Sequence, residues 1–221
     1  MKIFIGGSRS GTDFGRLPQD VYVKLDSIMK NRHSVLVGDA KGVDKAVQKY
    51  LYSKGYEDVT VFVSGENEPR YYACRDEKKE IQSAKKKWSV ESIVEEDNLK
   101  NRKMRELKDK KMADLADYGF MIWQPLYKNR FGRESVSSGT LANIFNLLVC
   151  EKPKPVRIFY KPDDDFLDFD RINDLECFLE RVDARIKKRY EEIKNEYEKK
   201  EKLRRKKDQE KQQLTMPYKE K

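Results

Sequence analysis

Three short segments combine glycine with hydroxyl, cationic or carboxylate side chains in a way that suits an anionic ligand. They are Gly6-Gly7-Ser8-Arg9, Gly38-Asp39-Ala40-Lys41-Gly42-Val43-Asp44 and Ser137-Ser138-Gly139-Thr140. In the first, glycines let main-chain N–H groups approach an anion, Ser8 offers a hydroxyl and Arg9 a fork of donors for phosphate. In the second, Gly42 falls near the start of a helix, where unpaired amides and the helix dipole favour negative charge. Asp39 or Asp44 can accept hydrogen bonds from ribose hydroxyls or a base, while Asp44 can equally bond backbone donors near the helix start. In the third, Ser138, Gly139 and Thr140 open a helix and suit either a phosphate or plain N-capping. Each loop alone has a structural explanation, a tight turn or a cap. Three of the same chemistry, expected along one sheet edge, argue together for a site. The spacing GxGxxG is absent, so this is not a dinucleotide fingerprint.

The elements that must position these loops alternate along the chain. Apolar runs at Lys2–Ile5, Ser34–Val37, Val59–Val63, Tyr118–Trp123 and Val156–Tyr160 read as buried strands. Helical periodicity follows Pro18 as far as Asn31, and again over Gly42–Lys54, Met104–Ala116 and Thr140–Val149. Residues 64–100 are polar and charged, and read as an irregular excursion with one or two short helices; Arg70, Tyr71 and Tyr72 within it are within conceivable reach of a ligand, or form a solvated loop. Gln124 to Ser138 reads as a polar loop. The alternation implies an α/β, Rossmann-like fold: a mostly parallel sheet of about five or more strands, helices on both faces, and strand-end loops gathered on one edge.

At these residues the chain resembles the SLOG superfamily, a Rossmann-like group related to LONELY GUY-type phosphoribohydrolases and to the DNA-processing protein A fold. The resemblance is carried by strand-GGSR, strand-GDAKGVD-helix, KDKKMADLADYGFMIW and SSGTLANI, and runs from Met1 to about Tyr160. It implies glycine loops that bind nucleotides or nucleotide-derived ligands, and in some members cleavage of the base–ribose bond. The hydrolytic motif has the form PGGxGTxxE, and here Asn143 stands in the glutamate's place. An amide has no proton-accepting charge near neutral pH and cannot serve as a general base. Asp39, Asp109 and Asp117 are the carboxylates that could substitute.

Other residues carry weaker signals. Trp123, after the fourth apolar run, can stack on a base or close the sheet's edge. His33 is the only histidine and has no partner in sequence, which excludes a histidine triad or metal centre. Asp163–Asp165 reads as a polar linker rather than a metal site. No cofactor is implied. The three cysteines, Cys74, Cys150 and Cys177, are widely spaced and fit reduced thiols rather than a disulfide frame. With no signal-peptide core at the start and no long apolar stretch, a soluble cytoplasmic protein is expected, with no membrane partner.

The chain's formal charge is +9, and from Arg181 onward 16 Lys/Arg stand against 9 Asp/Glu. The basic character thus belongs to the C-terminal part, whose run Arg204-Arg205-Lys206-Lys207 attracts phosphates in a salt-sensitive, sequence-blind way or is simply a solvated helix end. Leu175, Leu179, Val182, Ile186, Tyr190, Ile193 and Tyr197 form a heptad-like stripe on a helix beginning near Ile172. That stripe suits a homodimer or packing on the chain's own domain. Two units are therefore expected, a nucleotide-binding domain over 1–165 and a helical, basic tail over 166–221. The sequence favours a binding or sensing module for a nucleotide-type small molecule. Its alternatives are a nucleoside-monophosphate N-glycosidase and a single-stranded nucleic-acid binder.

Overall fold

Apolar, often β-branched runs form the inner strands, because a strand covered on both faces leaves no place for alternating polar side chains. A computed structural model describes residues 1–9, 16–65, 88–93, 101–129 and 131–214. In chain order these give β1 (Lys2–Gly7), α1 (Gln19–Lys30), β2 (Ser34–Gly38), α2 (Val43–Ser53), β3 (Val59–Ser64), β4 (Ser89–Ile93) and α3 (Asn101–Leu115). There follow β5 (Tyr118–Trp123), β6 (Leu126–Lys128), β7 (Glu134–Val136), α4 (Ser138–Val149), β8 (Val156–Tyr160), β9 (Asp165–Phe169), α5 (Ile172–Leu179) and α6 (Ala184–Leu214).

Seven strands form one sheet in the order β4-β3-β2-β1-β5-β8-β9. All its neighbours run parallel except β9, which pairs antiparallel with β8. From β1 the chain steps outward through β2 and β3 to β4, then returns to lay β5 on the other side of β1. Strand order therefore reverses between β1 and β5, the place where open α/β sheets bind ligands, beyond the carboxyl ends of the strands. This is a Rossmann-like α/β fold.

Successive side chains of each inner strand serve opposite layers. Ile3, Ile5, Val35, Val37, Val61 and Ile122 pack with Val21 and Leu25 of α1 and with Val47 and Leu51 of α2. Phe4, Leu36, Phe62, Met121 and Ile158 pack instead with Met112 of α3, Ile144 and Phe145 of α4, Leu175 of α5 and Tyr190 of α6.

Three segments differ from the sequence expectation. Residues 89–93, within the stretch read as an irregular excursion, are an edge strand; its four leading side chains are exposed, so no burial pattern marked it. The segment expected as a polar loop contains the antiparallel pair β6–β7. The acidic turn at 163–165 does not end the sheet, since β9 adds to it with Phe166 against Phe120 and Phe159, ring centroids 6.3 and 5.2 Å away.

The stripe beyond it is split between two helices. Asp183 interrupts it by accepting the Arg185 N–H at 2.9 Å, an N-cap that starts α6 anew. Leu175, Leu179, Ile186, Tyr190 and Ile193 are all buried in the second core layer. Those side chains pack into the chain's own core, Tyr190 against Phe145 of α4. Beyond Tyr197, α6 carries mostly exposed charged side chains. Among the described residues no helix is long and apolar enough to cross a membrane.

Candidate functional site

β1 delivers Gly6-Gly7-Ser8-Arg9 to the switch point. A side chain on Gly7 would strike the Ile122 carbonyl and Val43, so glycine is what lets β1 lie this close to β5 and α2. Ser8 is 1% exposed, and its Oγ receives the Gln124 N–H at 3.0 Å and lies 2.9 Å from Ser137 Oγ. Ser137 Oγ in turn lies 3.2 Å from Thr140 Oγ1. A buried line of hydroxyls thus fastens the end of β1 to the end of β5 and to the start of α4.

The second loop is fastened to the first. Gly42 has φ 88, and a Cβ there would run into the Ser8 carbonyl and the Arg9 backbone. Val43 N–H donates to the Ser8 carbonyl at 3.3 Å. The structure therefore brings all three glycine loops onto one rim.

Which groups face outward differs from the sequence expectation. The hydroxyls of Ser8 and Thr140 are buried and committed to the staple, so they hold the loops and do not reach a phosphate. Gly38 is also covered: its carbonyl takes the Gln48 Nε2 hydrogen bond at 2.8 Å, and its α-carbon faces Asp44 Oδ2 and Lys108 Nζ. Asp44 is buried and accepts the Ala40 N–H at 3.1 Å, which is the structural role open to it, not the reading of ribose. Outward-facing groups are the exposed Arg9 side chain, half-buried Asp39 and Ala40, half-buried Ser138 and exposed Gly139. Nothing stands within 4 Å of a Cβ built on Gly139, and no side chain caps the start of α4. Amides at a helix start with open space before them suit an anion.

Beneath the second loop lies a charged cluster that the sequence reading missed. Lys108 of α3 is 5% exposed and pairs with Asp109 at 3.1 Å. Burial disfavours its charge, but the carboxylates of Asp109, Asp44 and Asp39 outweigh burial and hold the ammonium above its ordinary range. Burial pushes the Asp44 carboxyl up to about 6, against the opposing pull of Lys108 and the Ala40 amide. At neutral pH both are charged. The carboxylates of Asp39, Asp44 and Asp109 thus gather around the Lys108 ammonium on this side of the rim. The signal was present: Lys108 stands four residues from Met104 and from Met112, on the buried side of α3.

The remaining candidates separate clearly. Trp123 is fully buried, its ring 5.7 Å from that of Tyr160 and 6.4 Å from that of Phe178, so it presents no face to a base. Asn143 is buried one turn into α4, and its Oδ1 has no hydrogen-bond partner among the described residues. Asp39 and Asp109 gather at the rim, whereas Asp117 accepts the Lys2 N–H at 2.7 Å at the opposite end of β1. His33, between α1 and β2, also lies at that far end, its carbonyl accepting from Tyr56 Oη. Arg70, Tyr71, Tyr72 and Cys74 lie outside the described residues.

No family model matches the chain, and no curated protein matches it in sequence. Among solved structures it is similar to DNA processing protein A from Helicobacter pylori, a protein described for its single-stranded DNA binding mode. The TM-score is 0.50 at 17% identity, over 72% of this chain and 64% of that one. The likeness is one of fold.

Proposed function

We propose that the rim between β1 and β5 binds a phosphate-bearing, nucleotide-type ligand, and that the chain is a binding or sensing module of the SLOG kind. One observation carries this reading: three separate glycine loops are stapled together at the switch point, with Arg9 and the open start of α4 facing outward. Arg9 and the amides from Ser138 to Thr140 take the phosphate, and Asp39 takes donors from the sugar or base. Gly6, Gly7, Gly38, Gly42, Ser8 and Asp44 shape the loops.

Thermal unfolding with a panel of nucleoside mono- and diphosphates and ADP-ribose tests it. A ligand at 100 times its Kd stabilises the fold by about 2.7 kcal/mol. That gain should vanish in Arg9→Gln. A panel with no responding compound would defeat the proposal.

A second reading, single-stranded nucleic acid on the same rim, has one observation in its favour. Arg9 is exposed and without a partner among the described residues, and such a cation does not distinguish a mononucleotide from a phosphate within a strand. Competition by a free mononucleotide for a bound oligonucleotide would support it.

A further inference from the structure

We propose that the groove on the rim opposite the glycine loops, continued by the exposed end of α6, binds the phosphate backbone of a nucleic acid without reading its sequence. This is independent of the nucleotide reading, because α4 separates the two places: its first turn faces the loops and its last turn faces the groove.

The groove encloses about 560 Å³ where α3, the turn after α4 and α6 meet. Lys110 comes from α3, Lys152 and Lys154 from the turn, and Arg204 and Arg205 from α6; Asp114, Glu151 and Glu201 are the acids among them. Five cations against three acids leave it positive. Among the described residues, Lys110, Lys152, Lys154 and Arg205 enter no ion pair, and Arg204 has only Glu201 at 3.5 Å and Asp208 at 4.0 Å on its own helix. Cations converging from three elements are what a chain of phosphates can neutralise together.

The helix extends this surface. Tyr197 anchors α6 to the body, its Oη donating to the Val149 carbonyl at 3.4 Å and its ring 5.5 Å from Phe145. Residues 199–209 then carry seven Lys/Arg and two Asp/Glu, nearly all exposed, over roughly 15 Å of helix. Their cations are spread around the helix, and Leu203 is the one apolar side chain among them. A helix without an apolar face does not insert into a bilayer surface. It also lacks the aromatic or aliphatic anchors that concentrate binding energy in a protein interface. Exposed cations continued along a groove, without apolar anchors, match an extended chain of phosphates, which a nucleic acid supplies.

Fluorescence anisotropy of the full chain with a labelled 20-nucleotide single strand, and with duplex and RNA of the same sequence, tests the proposal. Four neutralised phosphates on a single strand give a log–log salt slope of about −3, hence about 50-fold weaker binding at 200 mM than at 50 mM salt. Binding should be indifferent to base sequence. The triple variant Lys110→Gln/Lys152→Gln/Lys154→Gln and the double variant Arg204→Gln/Arg205→Gln should each weaken it at least tenfold and flatten the slope. Four of the five side chains are exposed and Lys154 is half-buried, so circular dichroism and Tm should stay close to wild type. Four results would overturn the proposal: no binding at 50 mM salt, wild-type affinity in the triple variant, a loss confined to Arg9→Gln, or equal binding to phosphatidylserine vesicles.

Discussion

Replacing Lys108 by methionine keeps the length of the side chain and removes the one ammonium beneath the second loop. Asp44 is already costly there: holding its carboxyl at about 6 rather than 3.8 corresponds to about 3 kcal/mol against the ionised form. Removing one partner of a buried pair costs about 3–5 kcal/mol, since the other charge stays behind uncompensated. Lys108→Met should therefore lose about that much stability at pH 7.5.

The loss should depend on pH in a defined direction. Without Lys108 the folded carboxyl of Asp44 titrates above 6, while in the unfolded chain it titrates near 3.8. Below the raised value, the folded variant holds a proton that the unfolded chain releases, so its stability rises as pH falls. Wild type gains nothing until about pH 6. The gap should narrow by about 1.4 kcal/mol per pH unit on acidification towards 6 and then level off. Lys108 itself is charged in folded and unfolded wild type over this range and adds no slope. Urea unfolding at pH 5, 6, 7 and 8 measures the gap, with the double variant Asp44→Asn/Lys108→Met alongside. The double variant should recover most of the loss at pH 7.5 and show no such narrowing. A loss equal at pH 5 and pH 8, or a double variant no more stable than Lys108→Met, would refute the coupling of these two charges.

Gly42→Ala should cost more than about 1 kcal/mol, because a Cβ at φ 88 is strained and meets the Ser8 carbonyl; thermal unfolding reads it. Gly139→Ala has open space and should leave Tm unchanged or raised, yet weaken any ligand that needs the amides at the start of α4, a split that titration and unfolding resolve together. Tyr190→Ala should lose about 3–5 kcal/mol in urea unfolding, since the ring is buried against Phe145 and its hydroxyl donates to Glu176 at 2.6 Å. Asn143 supplies no carboxylate and Asp109 is held by Lys108 at 3.1 Å, so incubation with nucleoside monophosphates should release no free base; chromatographic detection of base, lost again in Asp39→Asn, would reverse that expectation.

The inner strands were legible because burial on both faces leaves unbroken apolar runs, as in Val35–Val37 and Phe120–Trp123. Edge strands leave no such mark: Ser89–Ile93 is mostly exposed, and Asp165–Phe169 opens with an acid and is half open to water. The loops were legible as a set but not in their division of labour. Sequence shows that Ser8, Arg9 and Thr140 suit a phosphate, but whether a hydroxyl points outward or bonds another hydroxyl depends on contacts such as Ser8 with Ser137, 129 residues apart. Trp123 shows the same limit, because the rings of Tyr160 and Phe178 that enclose it come from elements whose placement no local pattern gives. Lys108 was overlooked because a lysine within a charged helix looks solvated until its neighbours at four-residue spacing are seen to be buried.

The burial of Ile186, Tyr190 and Ile193 in the second core layer, with Tyr190 against Phe145 of α4, has a consequence for biosynthesis. A ribosome must release the chain as far as Ile193 before that layer is fully covered. Until then a nascent or prematurely terminated chain leaves aromatic surface, including Phe145, incompletely shielded from water. Such products are candidates for chaperone capture or clumping, whereas loss of the charged segment past Tyr197 alone should leave solubility intact.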